Sequence, residues 1–387
     1  MSVTEQVTIQ PPQSLPDMSL MAASDRRADV ESKHGQVWSL LAEVGCDGLL
    51  VLDADNFAWL TAGAAGRGVL DPAASPCLYY TAEGRWVICS NVDSQRLFDE
   101  DLDGLGFQIK EWPWYSERDA FLAELNKDRT FASDVSFANC KVVGERLRKQ
   151  RRTMSDYDRA CCRALGLIIS HSLEATGRTM SPGETEREIA GQLAHRLLHR
   201  GAFPLHLTVA ADGRSRTYRQ AAFTSTPIRN YCVLNVVAKK YGLAAMASRS
   251  VSFGAPGDAY RRDHDAACRV SATYIAGSWP DAVPKQILAT GRRVYQVTGA
   301  EHEWQLAPQG AVTGRTAVEL SLTPQLEELL QANWAVSWFP SVGSALSCDT
   351  FLVSEDGPKA ITAIENWPLK RIRIQGADFV RPDLLVR

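Results

Sequence analysis

The sequence predicts an α+β protein, with an N-terminal α/β domain over residues 33–145 and a second domain over 146–387. Three observations lead there. Short β-rich runs interleave with helical stretches along the first 145 residues. A basic polar stretch near 142–156, containing Arg146, Arg148, Lys149, Arg151 and Arg152, then separates the halves. Beyond it a long amphipathic helix opens the second half, with Leu165, Ile168, Ile169 and Leu173 as its apolar stripe. A chain of 387 residues, 45% hydrophobic and 22% charged, has enough apolar surface to fill two cores.

Taken in order, residues 1–32 are polar and proline-containing, and read as a tail or an arm. From Gln36, the residues Val37, Leu40, Leu41 and Val44 have helical spacing that ends at Gly45. Strands are expected at 47–52, 57–61, 77–80 and 86–89, the last two joined by the turn Ala82-Glu83-Gly84. Helices are expected at 93–101 and 117–126. In the second half, a helix over 155–176 precedes Ser181-Pro182-Gly183-Glu184-Thr185, and Thr185 with Glu188 has the spacing of a capping box. That next helix runs to His199 and stops at Gly201. Two more helices are expected at 263–277 and 284–297.

A formal net charge of −3 gives no electrostatic reason to bind nucleic acid, and the basic run reads as a solvated helix face. No run of about 18 apolar residues and no leader-like N-terminus occurs, so a soluble, cytoplasmic protein away from membranes is expected. The nine cysteines are scattered and form no C-x-x-C pair, which leaves free thiols as the default. His195 and His199 have i, i+4 spacing, but the apolar stripe Ile189, Leu193, Leu197 places them on the wet face.

Several motifs, in order, resemble the pita-bread peptidases: aminopeptidase P, prolidase and creatinase. Asn56, Phe57, Trp59, Leu60, Thr61 and Gly63 are similar to a segment of the creatinase-type N-terminal domain, and Ser181 to Glu188 to the family's P-G-M-T-E-x-E. The stretch YCVLNVVAKKYGLAAMASRSVSFG, from Tyr231 to Gly254, resembles the family's paired-strand motif, with Gly242 and Arg249 on its Gly and Arg. The resemblance covers about residues 33–370 and implies a C-terminal domain in which helices cover a curved antiparallel sheet. It also implies a homodimer in which the N-terminal domain, with Trp112 and Trp114 as candidate contacts, closes over the partner's pocket.

On that pattern the family's five metal-ligand positions hold other residues. Asn235 and Met246 stand for the two aspartates, the loop from Pro308 to Gly314 has no histidine, with Ala307 and Pro308 where a divergent branch of the family has two, and Phe339 and Cys348 stand for the glutamates. Two hard divalent ions close together need several carboxylates. A carboxamide offers one oxygen and a thioether is a soft ligand. No metal and no cofactor are therefore expected.

The resemblance leaves His206 as the first candidate for proton chemistry, beside the strand LTVAADG, and Cys348 as a candidate nucleophile at a former ligand position. Each also has a plainer reading, as an edge histidine and a buried thiol. Thr217 or Gln220 falls where the family has a substrate-contacting histidine. Asn235, Met246, Phe339, Trp338, Arg219, Gln220, His302 and Arg315 complete the expected pocket lining. Arg219, Lys239 and Arg315 are candidates for an anionic group, or are solvated charges. The expectation is metal-independent chemistry on a small C–N or amide-containing molecule. The alternatives are a non-catalytic relative binding a peptide, metabolite or protein, and an ordinary metallopeptidase.

Overall fold

The buried apolar residues sort into separate clusters. One runs from Val30 to Leu147 and the next begins at Met154. The computed structural model describes residues 23–66, 74–127 and 129–387. The first cluster is packed around a mixed sheet of β1 (Gly48–Val51), β2 (Cys77–Thr81), β3 (Gly84–Ser90), β4 (Gln108–Trp112), β5 (Phe131–Ser133) and β6 (Lys141–Val142), in the order β4-β3-β2-β1-β5-β6. Around it lie α1 (Ala23–Val44), α2 (Ala54–Leu60), the short α3 (Ser94–Arg96) running on into a π-helical turn, and α4 (Arg118–Leu125).

Two expectations are corrected here. Helix α1 begins at Ala23, inside the stretch read as a tail, while residues 1–22 lie outside the described ones. Val30 continues the stripe of Val37 and Leu41, but the buried pair Asp29 and Lys33 gives this turn a polar appearance in the sequence. Residues 57–61 were expected as a strand but lie mostly in α2. Asp53 caps that helix by accepting the N–H groups of Asp55 and Asn56 at 3.0 and 2.9 Å. All of Asn56 to Leu60 is buried, so its aromatic run carries no helical periodicity.

After the linking helix α5 (Gly144–Arg151), the second half opens with α6 (Asp156–Thr179), capped by Ser155, and α7 (Glu186–His199), whose capping box of Thr185 and Glu188 is formed. These helices cover a sheet of β7 (Phe203–Ala211), β8 (Tyr231–Lys240) and β9 (Leu243–Ser252), which runs antiparallel from β7 through β9. A turn of helix, α8 (Arg214–Thr217), follows β7. Strand alternation divides the faces of β8. Cys232, Leu234, Val236 and Ala238 share the core of Leu165, Ile169 and Leu173 from α6, while Val233, Asn235 and Val237 take the other face.

Helices α9 (Asp258–Ala276) and α10 (Pro284–Val297) cover a second sheet in the same way. It consists of β10 (Gly310–Thr313), β11 (Leu320–Ser321), β12 (Ala335–Trp338), β15 (Asp349–Leu352) and β16 (Lys359–Ala360), with the hairpin β13 (Ser341–Val342) and β14 (Ala345–Leu346) between β12 and β15. The C-terminal hairpin β17 (Leu369–Ile374) and β18 (Ala377–Pro382) leads to β19 (Leu385–Val386), which pairs in parallel with β9. The two sheets join at β9. Ser248 donates its N–H to Cys348 O at 2.9 Å, and Ala244 to Gly314 O at 2.8 Å.

The β8–β9 turn is fixed by conformation as well as by space. Tyr241 and Gly242 both have positive φ, 55° and 66°, as a two-residue hairpin turn of type I′ requires. A Cβ on Gly242 would stand 2.8 Å from that of Ala58 in α2, so this turn also seats the β7–β9 sheet on the first domain. Gly242→Val is therefore expected to cost about 1–3 kcal/mol, read as a lowered midpoint in urea unfolding. An unchanged midpoint would contradict this account of the turn.

Candidate functional site

The cleft-facing sides of the two sheets enclose a cavity of about 410 Å³. From β7 come His206 and Thr208, whose Nε2 and Oγ1 atoms are 3.0 Å apart. A register shift between Pro204 and His206 marks a bulge there, a common device for re-aiming a side chain. Thr208 pairs with Asn235 across β7 and β8, so these polar groups form one wall. The Asn235 Oδ1 atom is buried without a hydrogen-bond partner. Such orphaned atoms are rare in folded proteins and call for an explanation.

The opposite end is apolar. Met246 of β9 and Val237 of β8 pack against Cys348, with Phe339 and Leu346 beside them. Burial pushes the Cys348 thiol well above its ordinary range and the adjacent Asp349 adds to this, although Arg381 and Arg249 pull the other way. The thiol is part of the wall, and its burial disfavours the thiolate that a nucleophile requires.

At the mouth, Arg219 and Gln220 enter from the loop after α8. Arg219 forms an ion pair with Glu303 and also donates to Gly343 O at 2.9 Å. Glu303 in turn accepts the Gly343 N–H at 3.0 Å. The cation is thus neutralised in place, and its partner is the residue next to His302.

Three expected lining residues lie elsewhere. Trp338 and Phe339 are consecutive, and neighbouring residues along extended chain face opposite ways. Phe339 faces the cleft, whereas Trp338 stacks on Tyr274 with ring centroids 4.6 Å apart and donates its indole N–H to Ser278. Arg315 is buried against Asp158 and also bonds the Tyr241 carbonyl, so it braces the turn of β8 and β9. His302 is 76% exposed on a 3₁₀ turn. Thr217 is exposed and outside the cleft, so of the two registers considered Gln220 is the residue at the site. Lys239 is held by Asp55, and His195 and His199 are exposed on α7. Sequence reasoning missed Thr208, Val233 and Val237, which a period of two counted from His206 and Asn235 would have found. Leu306, Val318 and Ser341 also line the cleft but come from segments with no such signal.

The resemblance seen in the sequence implies a pair of divalent ions here, and the donors present do not fit them. The cleft offers one imidazole, two carboxamides, one thioether and one buried thiol, with no carboxylate among its lining residues. Among the described residues, no group of three or more His, Cys, Asp or Glu could hold a metal ion.

The chain has the fold of the pita-bread prolidases, an N-terminal domain followed by a sheet domain covered by helices. It is similar to the prolidase from Pyrococcus horikoshii OT3, with a TM-score of 0.74 at 16% identity over 86% of this chain and 99% of that one. The Xaa-Pro dipeptidase from Bacillus anthracis gives 0.74 at 14% identity, over 92% of this chain and 100% of the other. The N-terminal domain of FACT complex subunit SPT16 from Cicer arietinum (chickpea) gives 0.62 at 10% identity, over 88% and 95%. No family model matches the chain and no curated protein does. Among the described residues, no helix is long and apolar enough to cross a membrane.

Proposed function

We propose that this protein is a metal-independent relative of the Xaa-Pro peptidases that binds a small peptide-like or amide-containing molecule in the cleft. The observation that carries this reading is the set of residues facing the cavity. Asn235, Met246, Phe339 and Cys348 supply an amide, a thioether, a phenyl ring and a buried thiol. Such a wall suits an organic ligand, since binding pockets are mostly apolar with a few placed polar groups. Arg219 and Glu303 neutralise each other, so the mouth adds no net charge.

A second reading, proton chemistry on the bound amide, rests on one pair. His206 opens to the cleft with Thr208 at 3.0 Å, where it could take or give a proton. The same proposal includes two domains that meet at the linking helix α5, a cytoplasmic location and a homodimer. The side-by-side exposed rings of Trp114 and Tyr115 support a contact on the N-terminal domain, while Trp112 belongs to its core.

Metal analysis tests the core of the proposal. Protein purified and then incubated with Mn²⁺ or Co²⁺ is expected to retain no stoichiometric metal after gel filtration and to leave leucyl-proline uncleaved. A retained pair of ions together with dipeptide hydrolysis would overturn it. His206→Gln is expected to abolish any amide-directed turnover, and survival of the turnover would remove the second reading.

A further inference from the structure

We infer that the cleft selects an uncharged molecule carrying a secondary amide and an apolar substituent, and discriminates against free dipeptides. This rests on the reading of the cleft as a ligand site and adds the class of ligand. The first support is charge. Among the lining residues there is no Asp, Glu or Lys, and Arg219, the one arginine, is paired with Glu303 and further engaged by Gly343 O and Ser341 Oγ. A free dipeptide carries an ammonium and a carboxylate. Placing both in this cavity strips their hydration and supplies no lining carboxylate to the ammonium and no unpaired arginine or lysine to the carboxylate, a loss that hydrogen bonds to neutral groups only partly offset.

The second support is the polar wall. Asn235 Oδ1 is buried and unpartnered, and Asn235 faces Thr208 across the strand pair, with His206 bonded to Thr208. A secondary amide carries one donor and one acceptor on opposite sides of its trans bond, so one of the two at a time can pair with the Asn235 carboxamide. The third support is the inner end, where Val237, Met246, Ala317, Phe339 and Leu346 offer only carbon and sulfur to a substituent. An aliphatic or proline-like group fits that surface by the same burial that drives core packing.

Calorimetric titration of the full chain tests this with two probes, N-acetyl-leucine N′-methylamide and leucyl-proline, and with a third, leucine N-methylamide, for one variant. The neutral amide is expected to bind at least about tenfold more tightly than the zwitterion. Asn235→Leu, which removes the polar partner at similar volume, is expected to weaken the neutral amide about tenfold. Asn235→Asp keeps the shape and adds charge, so it should shift preference toward leucine N-methylamide, whose amine is protonated. Equal or tighter binding of leucyl-proline overturns the inference, as does binding of neither probe or an unchanged affinity in both variants. Tighter dipeptide binding by metal-free protein would sink the neutral-ligand inference alone, whereas stoichiometric metal would sink the reading beneath it.

Discussion

Replacing Asp349 by alanine is expected to destabilise the protein by about 3–5 kcal/mol, the usual cost of removing one partner from a buried ion pair. Asp349 is 1% exposed and serves two guanidinium groups, Arg249 through Oδ1 at 3.1 Å and Arg381 through Oδ2. Its Oδ1 also accepts from Thr362 at 2.8 Å. Arg249 reaches Glu174 of α6 on its far side at 3.4 Å, so one carboxylate ties β15, β9 and the covering helix together. Without it, two cations stay buried with only Glu174 to balance them. The change is read as a shift of the urea midpoint. A loss below about 1 kcal/mol would place this network in the class of surface pairs and refute the argument.

That network bears on what could be read beforehand. Arg249 and Gly242 fell on matching positions of the family pattern, as did the Asp349-Thr350 pair before the apolar run, and all take part in joining the sheets or seating their turn. Their demands come from backbone conformation and from buried charge, which restrict residue type tightly. The faces of Asn235, Met246, Phe339 and Cys348 were legible because a strand has a period of two, and a motif fixes its phase. Trp338 was misplaced by ignoring that same rule. Arg315 lies in a loop, where side-chain direction follows tertiary hydrogen bonds such as the one from Arg315 to the Tyr241 carbonyl, 74 positions away. Helix α2 was misread because a fully buried short helix and a buried strand share one composition. The pairing of Arg219 with Glu303, 84 positions apart, left no trace in local sequence.

Asp158→Ala is the other substitution with a large expected effect, because Asp158 joins the domains. It lies in α6, accepts from Lys33 of α1 at 3.1 Å, and pairs with Arg315, which holds the β8–β9 turn. Lys33 is further paired with Asp29, and all four groups are nearly inaccessible. Removal leaves Arg315 without a carboxylate in the interior, so a cost of about 3–5 kcal/mol is expected. The pH dependence follows from the same contacts. Burial alone would raise the Asp158 carboxyl, but Arg315 and Lys33 together hold it below its ordinary value of 3.8. A carboxylate depressed on folding contributes stability that is fully present above the unfolded value and is lost as the pH falls through the folded one. Asp158→Asn should therefore unfold at lower urea than the parent at pH 7, with the gap narrowing as the pH is taken below about 4. A gap that stayed constant down to pH 3 would show that Asp158 acts through its shape and hydrogen bonds, with no contribution from its charge.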